Sequence, residues 1–300
     1  MATSRNDQSA TGTETATSRR VLKVARGVAA SDGAGVHLTR VIGGPSVADL
    51  DPFLLLDEFR SDDAGDYIAG FPNHPHRGFE TVTYMLAGRM RHGDNQGNSG
   101  LLGPGSVQWM TAGRGIVHSE MPEQQDGRMW GFQLWVNLPA RDKMTAPRYQ
   151  DIAPEQIPEV TPAPGVRVRV IAGQVGATEG PVRGVATEPV YLDIALDGGA
   201  RYEATLPAGH SAFGYVFERE VAIGPADDSV ELVRGQLAVL GAGERVELKG
   251  GPQGGRLILV AGRPLKEPVA RYGPFVMNTE VEIRQAVADF NDGRFGHMAA

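Results

Sequence analysis

The chain has 300 residues, 41% of them hydrophobic, enough for one large or two ordinary domains with a sizeable core. Its 29 Lys and Arg against 36 Asp and Glu leave a net charge of −7, which argues against a general nucleic-acid surface, since such surfaces are basic. The absence of cysteine excludes disulfides, thiolate metal ligands and iron–sulfur clusters. Met1 to Arg20 is polar, rich in Ser, Thr and Ala, and lacks the apolar stretch of a secretory signal, so residues 1–20 read as a disordered tail. No apolar run approaches the ~18 residues of a membrane span, and the default expectation is a cytoplasmic protein.

From Val21 the pattern is that of an all-β protein: short runs of Val, Tyr, Phe and Leu between turns, with 40 glycines and 20 prolines. Strands are expected within Val21 to Arg40, in the dense run Phe53-Leu54-Leu55-Leu56, and at Val82 to Leu86, Val107 to Met110 and Met129 to Val136. Asp57 to Asp66 reads as an acidic loop, and Gly93 to Gly100 as a turn. Ala146 to Pro164 holds five prolines and reads as a linker, 150–165, between a first barrel, 21–149, and a second, 166–267. In the second barrel, strands are expected at Tyr191 to Leu196, Ala212 to Phe217, Glu231 to Leu240 and Arg256 to Gly262. The last segment, 268–300, carries one helix that starts at the capping box Thr279-Glu280-Val281-Glu282 and stops at Gly293. Its apolar face of Ile283, Ala286, Val287 and Phe290 is a packing surface, expected to fold back on the first barrel.

Two short patterns carry chemistry. In His74-Pro75-His76 the imidazoles are two residues apart, and in a strand such residues share a face. In His118-Ser119-Glu120 the same parity pairs an imidazole with a carboxylate. Three neutral nitrogens and one carboxylate oxygen satisfy a transition metal while leaving positions open for water or substrate. The two pairs are 42 residues apart, a gap that suits two or three intervening strands. Glu80 is a rival carboxylate: four residues after His76, it has the same parity in an unbroken strand, although Gly78 could form a bulge that rotates it away. His92, His37, His210 and His297 lack partners in the sequence and read as surface or turn histidines.

The run Gly70 to Glu80, followed by Gly88, resembles the first motif of the cupins, and Gly103-Pro104-Gly105 followed by His118 resembles the second. More specifically, His-Pro-His-Arg-Gly-Phe-Glu-Thr-Val-Thr-Tyr from His74 to Tyr84 is similar to the signature of the pirin family. So are Ala112 to Pro122, Gly273 to Thr279 and Gly293 to Gly296; the likeness runs from about Val21 to Gly296. It implies an all-β bicupin: two face-to-face antiparallel jelly-roll β-barrels and a short C-terminal helix, monomeric, with metal only in the first barrel. By the same resemblance the ligands are His74, His76, His118 and Glu120, with Glu80 a neighbour in the second shell.

The resemblance also implies iron as the leading metal, with Ni, Mn, Co, Cu and Zn as alternatives, and an activity of the quercetin 2,3-dioxygenase type. Such an enzyme opens a flavonol ring with O₂ and releases CO. A metal would lower the pKa of the 3-hydroxyl as a Lewis acid, and Glu120 would take its proton as catalytic base. Phe71, Met110 and Trp130 are expected in the substrate pocket from their nearness in sequence. The alternative is non-enzymatic: an iron-dependent redox-sensing regulator that uses the same ligands and binds a protein partner. Neither reading calls for direct nucleic-acid or membrane binding.

Overall fold

The computed structural model describes residues 17–295. Most of Met1 to Arg20, together with Gly296 and His297, therefore lies outside the described residues. The first half forms two antiparallel sheets. One has seven strands in the order Arg148–Ile152, Val107–Thr111, Phe79–Ala87, Met129–Asn137, Phe53–Ser61, Val36–Ile42 and Val28–Asp32. The other has four: Phe71–His76, Ile116–Pro122, Met90–Asp94 and Ser99–Leu102. The two together enclose a jelly-roll barrel.

The second half is a nine-stranded sheet whose longest strands, Ser211–Ile223 and Arg245–Gly262, carry register shifts after Val216 and Arg219. Such bulges let one strand bend and serve both walls of a barrel. They explain why these strands outrun the apolar cores visible in the sequence.

The barrels meet face to face. In the seven-stranded sheet, Val82, Tyr84, Phe132 and Leu134 point away from their own barrel and pack with Phe213, Tyr215, Phe217 and Ile258 of the second. Phe132 sits edge-on to Phe217 at 5.2 Å, and Phe53 edge-on to Phe213 at 5.2 Å. With both faces of its sheet buried, the run Phe53-Leu54-Leu55-Leu56 has no reason to alternate with polar residues. Each barrel also lends one buried acid to a tyrosine of the other. Tyr215 donates to Glu58 at 2.5 Å, and Tyr84 donates to Asp193 at 2.5 Å.

Three features differ from the sequence expectations. Strand Val21–Arg26 pairs with Gln236–Leu240 in the second sheet and not within the first barrel. The proline-rich segment 150–165 is not a bare linker: Arg148–Ile152 forms the outer strand of the first sheet and Glu159–Ala163 that of the second. Proline is tolerated there because an outer strand needs no donor on its free side, as at Pro162. The supposed acidic loop starts late, since Asp57 to Ser61 completes a strand in which Arg40 grips Asp57 by two hydrogen bonds, 3.0 and 2.7 Å.

Beyond the second barrel the chain returns to the first. Helix Glu280–Asn291 is capped as its sequence predicts: Glu282 N–H donates to Thr279 Oγ1 at 3.3 Å, and Thr279 N–H donates to Glu282 at 2.9 Å. Ile283 and Ala286 are buried with Phe275, Met277 and Phe295, against Val117 of the four-stranded sheet. Arg77, next to His76, forms a buried ion pair with Asp289 at 2.7 Å.

Candidate metal centre

Strand Phe71–His76 carries His74 and His76 on one face. Its neighbour Ile116–Pro122 runs antiparallel with His118 directly opposite His74, and directly opposed residues are the nearest side-chain pairs between two strands. The rings converge, with centroids 4.7 Å (His74–His76), 4.5 Å (His74–His118) and 5.0 Å (His76–His118) apart. One nitrogen from each lies within 4.8 Å of the others; among the described residues this is the only such group of three His, Cys, Asp or Glu. Four strands, not two or three, lie between His76 and His118, because those strands are only four to nine residues long.

His76 and His118 are 2% and 0% exposed, and none of their four ring nitrogens makes a well-formed hydrogen bond, although the Pro274 carbonyl lies near His76. Unpartnered buried polar atoms are costly and call for an explanation. Burial is the main cause that holds both imidazoles well below the ordinary histidine pKa. Mutual proximity adds to it, from His118 and His74 at His76 and from His74 and His92 at His118, while the Pro274 carbonyl opposes it at His76. Both are therefore neutral at pH 7, the form that binds a metal. At His74, Nδ1 donates to the Pro72 carbonyl at 2.8 Å, which leaves Nε2 as the free lone pair. Three converging imidazoles, two of them orphaned in the interior, fit a transition metal ion.

Glu120 shares the inward face of His118, yet its carboxylate lies outside the histidine group. Thr83 donates to its Oε1 at 2.8 Å and Gln133 to its Oε2 at 2.9 Å. Glu80 is turned away. Gly78 ends the histidine strand in a left-handed conformation (φ +87), and the next strand restarts with Phe79 against His76, ring centroids 5.0 Å apart. Glu80 then shares the face of Val82 and Tyr84 and accepts from Thr111 at 2.6 Å. It is a neighbour in sequence, but its side chain belongs to the opposite side of the strand.

A cavity of about 550 Å³ opens onto His74 and His76, within the ~300–1,000 Å³ typical of small-molecule sites. Phe71 lines it. A register shift between His118/His74 and Glu120/Phe71 inserts an extra residue at Pro72-Asn73, which brings Phe71 onto the histidine face. Met110 and Trp130 do not line it. Met110 packs with Ala112, Ile116 and Tyr149, and Trp130 faces the second barrel, where it donates to Glu58 at 2.8 Å and meets Phe217. Parity is the reason: along Met129–Asn137, Gln133 and Trp135 face the cavity, and Phe132 and Leu134 face the second barrel. That alternation was readable in the sequence and points to Trp135, whose ring lies 5.3 Å from His76. Arg40, Asp57 and Arg271 also line the cavity. They come from strands that meet only in the folded chain, and no sequence motif marks them.

His92 is not a surface residue. It is 1% exposed, opposite Glu120 in the sheet, 3.2 Å from Asp151 and stacked on Tyr149. Its ring lies over Gly100, where any Cβ would overlap it. His37 does lie at the surface, 2.8 Å from Asp66. His210 is largely buried, and its backbone carbonyl accepts from Arg19 at 2.8 Å.

Family models agree with this architecture. The model described as pirin matches residues 35–136, and that described as the pirin C-terminal cupin domain matches residues 191–296. A Pseudomonas aeruginosa protein provisionally named a quercetin 2,3-dioxygenase is 53% identical over 283 residues, covering 92% of this chain and 97% of that one. The Homo sapiens protein named pirin is 44% identical, covering 90% and 91%. The crystal structure of a quercetin 2,3-dioxygenase from Acinetobacter baumannii superposes with a TM-score of 0.85 at 33% identity, covering 94% of this chain and all of that one.

Proposed function

We propose, on the premise that this chain belongs to the pirin family, that it is a metal-dependent dioxygenase of the quercetin 2,3-dioxygenase type. The observation that carries the reading is the set of orphaned ring nitrogens of His76 and His118, opposite His74 at the floor of a cavity. His74, His76, His118 and Glu120 would hold one transition metal, iron being the leading choice and Ni, Mn, Co, Cu and Zn the alternatives. When bound, such an ion supplies Lewis acidity toward a flavonol 3-hydroxyl and, if redox-active, a route for electrons to O₂.

The chain's own groups do the rest. Phe71 and Trp135 line the cavity and give it apolar wall for an aromatic substrate. Glu120 is the catalytic base that takes the proton of the 3-hydroxyl. Thr83 and Gln133 each donate to one of its oxygens, which fixes the carboxylate without supplying a counter-charge. Glu80, on the far side of its strand, takes no part.

The test is incubation of Fe-, Ni-, Mn-, Co- or Cu-loaded protein with quercetin under O₂, following flavonol absorbance and CO release. No turnover with any of these metals overturns the dioxygenase. The iron-dependent regulator then becomes the reading to pursue, through a protein partner whose capture changes with iron oxidation. His76→Ala should lower bound metal well below one equivalent per chain; retention of a full equivalent would mean that the ion sits elsewhere.

A further inference from the structure

The cavity above the histidines contains two arginines in very different states. Arg40 is neutralised: it donates to both oxygens of Asp57 and to Asp32 Oδ2 at 2.8 Å, and the remaining oxygen, Asp32 Oδ1, accepts from Gly33 N–H at 2.8 Å. All four carboxylate oxygens are thereby engaged. Arg271, on the short strand Ala270–Tyr272, has no carboxylate within ion-pairing distance among the described residues. Its one hydrogen bond is a long one, from Nη1 to the Leu54 carbonyl at 3.3 Å. A guanidinium has five N–H donors in a planar fork, so most of this one is unspent.

Arg271 is also held in place. Its guanidinium lies 5.0 Å from the centre of the Trp135 ring, a cation–π contact, and the same indole lies 5.3 Å from the His76 ring. Partial burial is the main cause that lowers its pKa, with Arg40 adding and Asp57 and Asp32 opposing, while the residue stays exposed and open to a ligand entering the cavity. One flat ligand in this cavity could reach the histidine floor with one edge and Arg271 with the other.

We infer that the cavity selects a planar aromatic ligand bearing a carboxylate, and that Arg271 is the residue that selects it. The inference rests on the reading of the three histidines as a metal centre. It adds to that reading: among ligands that present the same edge to the metal, one with a carboxylate at the opposite edge is preferred. A planar carboxylate matches the guanidinium fork in two parallel hydrogen bonds, which a neutral amide cannot do.

The experiment is equilibrium binding to iron-loaded protein under nitrogen, read by calorimetry or by Trp fluorescence. The probes are 3,4-dihydroxybenzoate and 3,4-dihydroxybenzamide, which offer the same catechol oxygens to a metal. The benzoate should bind about tenfold more tightly at low salt, and the preference should shrink as salt rises. Arg271→Gln, with metal content confirmed equal to wild type, should bind both probes alike, and Arg271→Lys should keep part of the preference.

Equal binding of the two probes by wild type, failure of the benzoate to bind, or an undiminished preference in Arg271→Gln each overturns the inference. The two readings fail separately. Flavonol turnover without a carboxylate preference sinks the role of Arg271 alone; an Arg271-dependent preference without turnover of any flavonol sinks the dioxygenase alone.

Discussion

Glu120 is held by one hydroxyl and one amide, and both partners can also bond a neutral amide in its place. Glu120→Gln should therefore preserve the pocket, keep most of the metal through the three histidines, and lose the proton acceptor. Turnover of a flavonol should fall about 100-fold or more, against metal content measured on the same sample; unchanged turnover would move the base elsewhere. Lys143 gives a second prediction. It is buried and donates to the carbonyls of Gly78 and Val276 and to Asn137, at 2.7 to 2.9 Å. Burial lowers its pKa to about 8, with Glu267 and Glu282 opposing. The unfolded chain therefore binds more protons than the folded chain from about pH 8 toward about pH 10, so this residue makes stability rise with pH there and contributes no slope below that window. Lys143→Met should abolish that rise, as thermal unfolding at successive pH values would show. Above about pH 10, Tyr84, Tyr191 and Tyr215, whose phenols burial pushes up, pull the other way in both proteins. At this scale the two pairs were legible because parity puts His74 with His76 and His118 with Glu120 on one face. His92 was not, because its partners Asp151 and Tyr149 come from another strand.

The histidine strand is anchored at its end by Gly78, whose N–H donates to the Gly113 carbonyl at 2.8 Å while its own carbonyl accepts from Lys143. A Cβ there would overlap the Val276 carbonyl oxygen, in a backbone conformation that already disfavours side chains. Gly78→Ala should cost more than about 1 kcal/mol of stability and should weaken metal retention, because the turn that aims His76 has to move. Gly97→Ala is the control. Its φ is similar, +90, but nothing lies within 4 Å of its Cβ position, so it should cost about 1 kcal/mol and leave metal content unchanged. Denaturant midpoints and metal analysis of the two variants check both. Elements with local signals were readable: the capped helix, the glycine turns, the apolar strand cores. The two outer strands in the proline-rich segment were not: Arg148–Ile152 pairs with the distant Val107–Thr111, and Glu159–Ala163, though it pairs with the next strand, lies among prolines that mask a strand pattern.

Across the whole molecule, the two barrels share one core and exchange chain ends. Strand Val21–Arg26 completes the second sheet, and the segment around Phe275 to Phe295 packs on the first. Phe132 lies at the centre of the shared face and is fully buried against Tyr215 and Phe217. Phe132→Ala should cost about 3–5 kcal/mol, and calorimetry of the parent protein should show one transition, because neither barrel keeps a dry face without the other. Two resolved transitions would mean that the barrels unfold independently.

The amino-acid order by itself determined the all-β class, the two halves, the C-terminal helix and the shared faces of His74 with His76 and of His118 with Glu120. These follow from periodicity, capping and strand parity, all of which act over a few residues. The tertiary structure alone decided that Gly78 does turn Glu80 aside and that Arg271 stands beside the cavity without a carboxylate partner among the described residues. Those outcomes depend on one left-handed glycine, which the sequence raised only as an alternative, and on the pairing of strands far apart in the chain, which has no signature shorter than the fold.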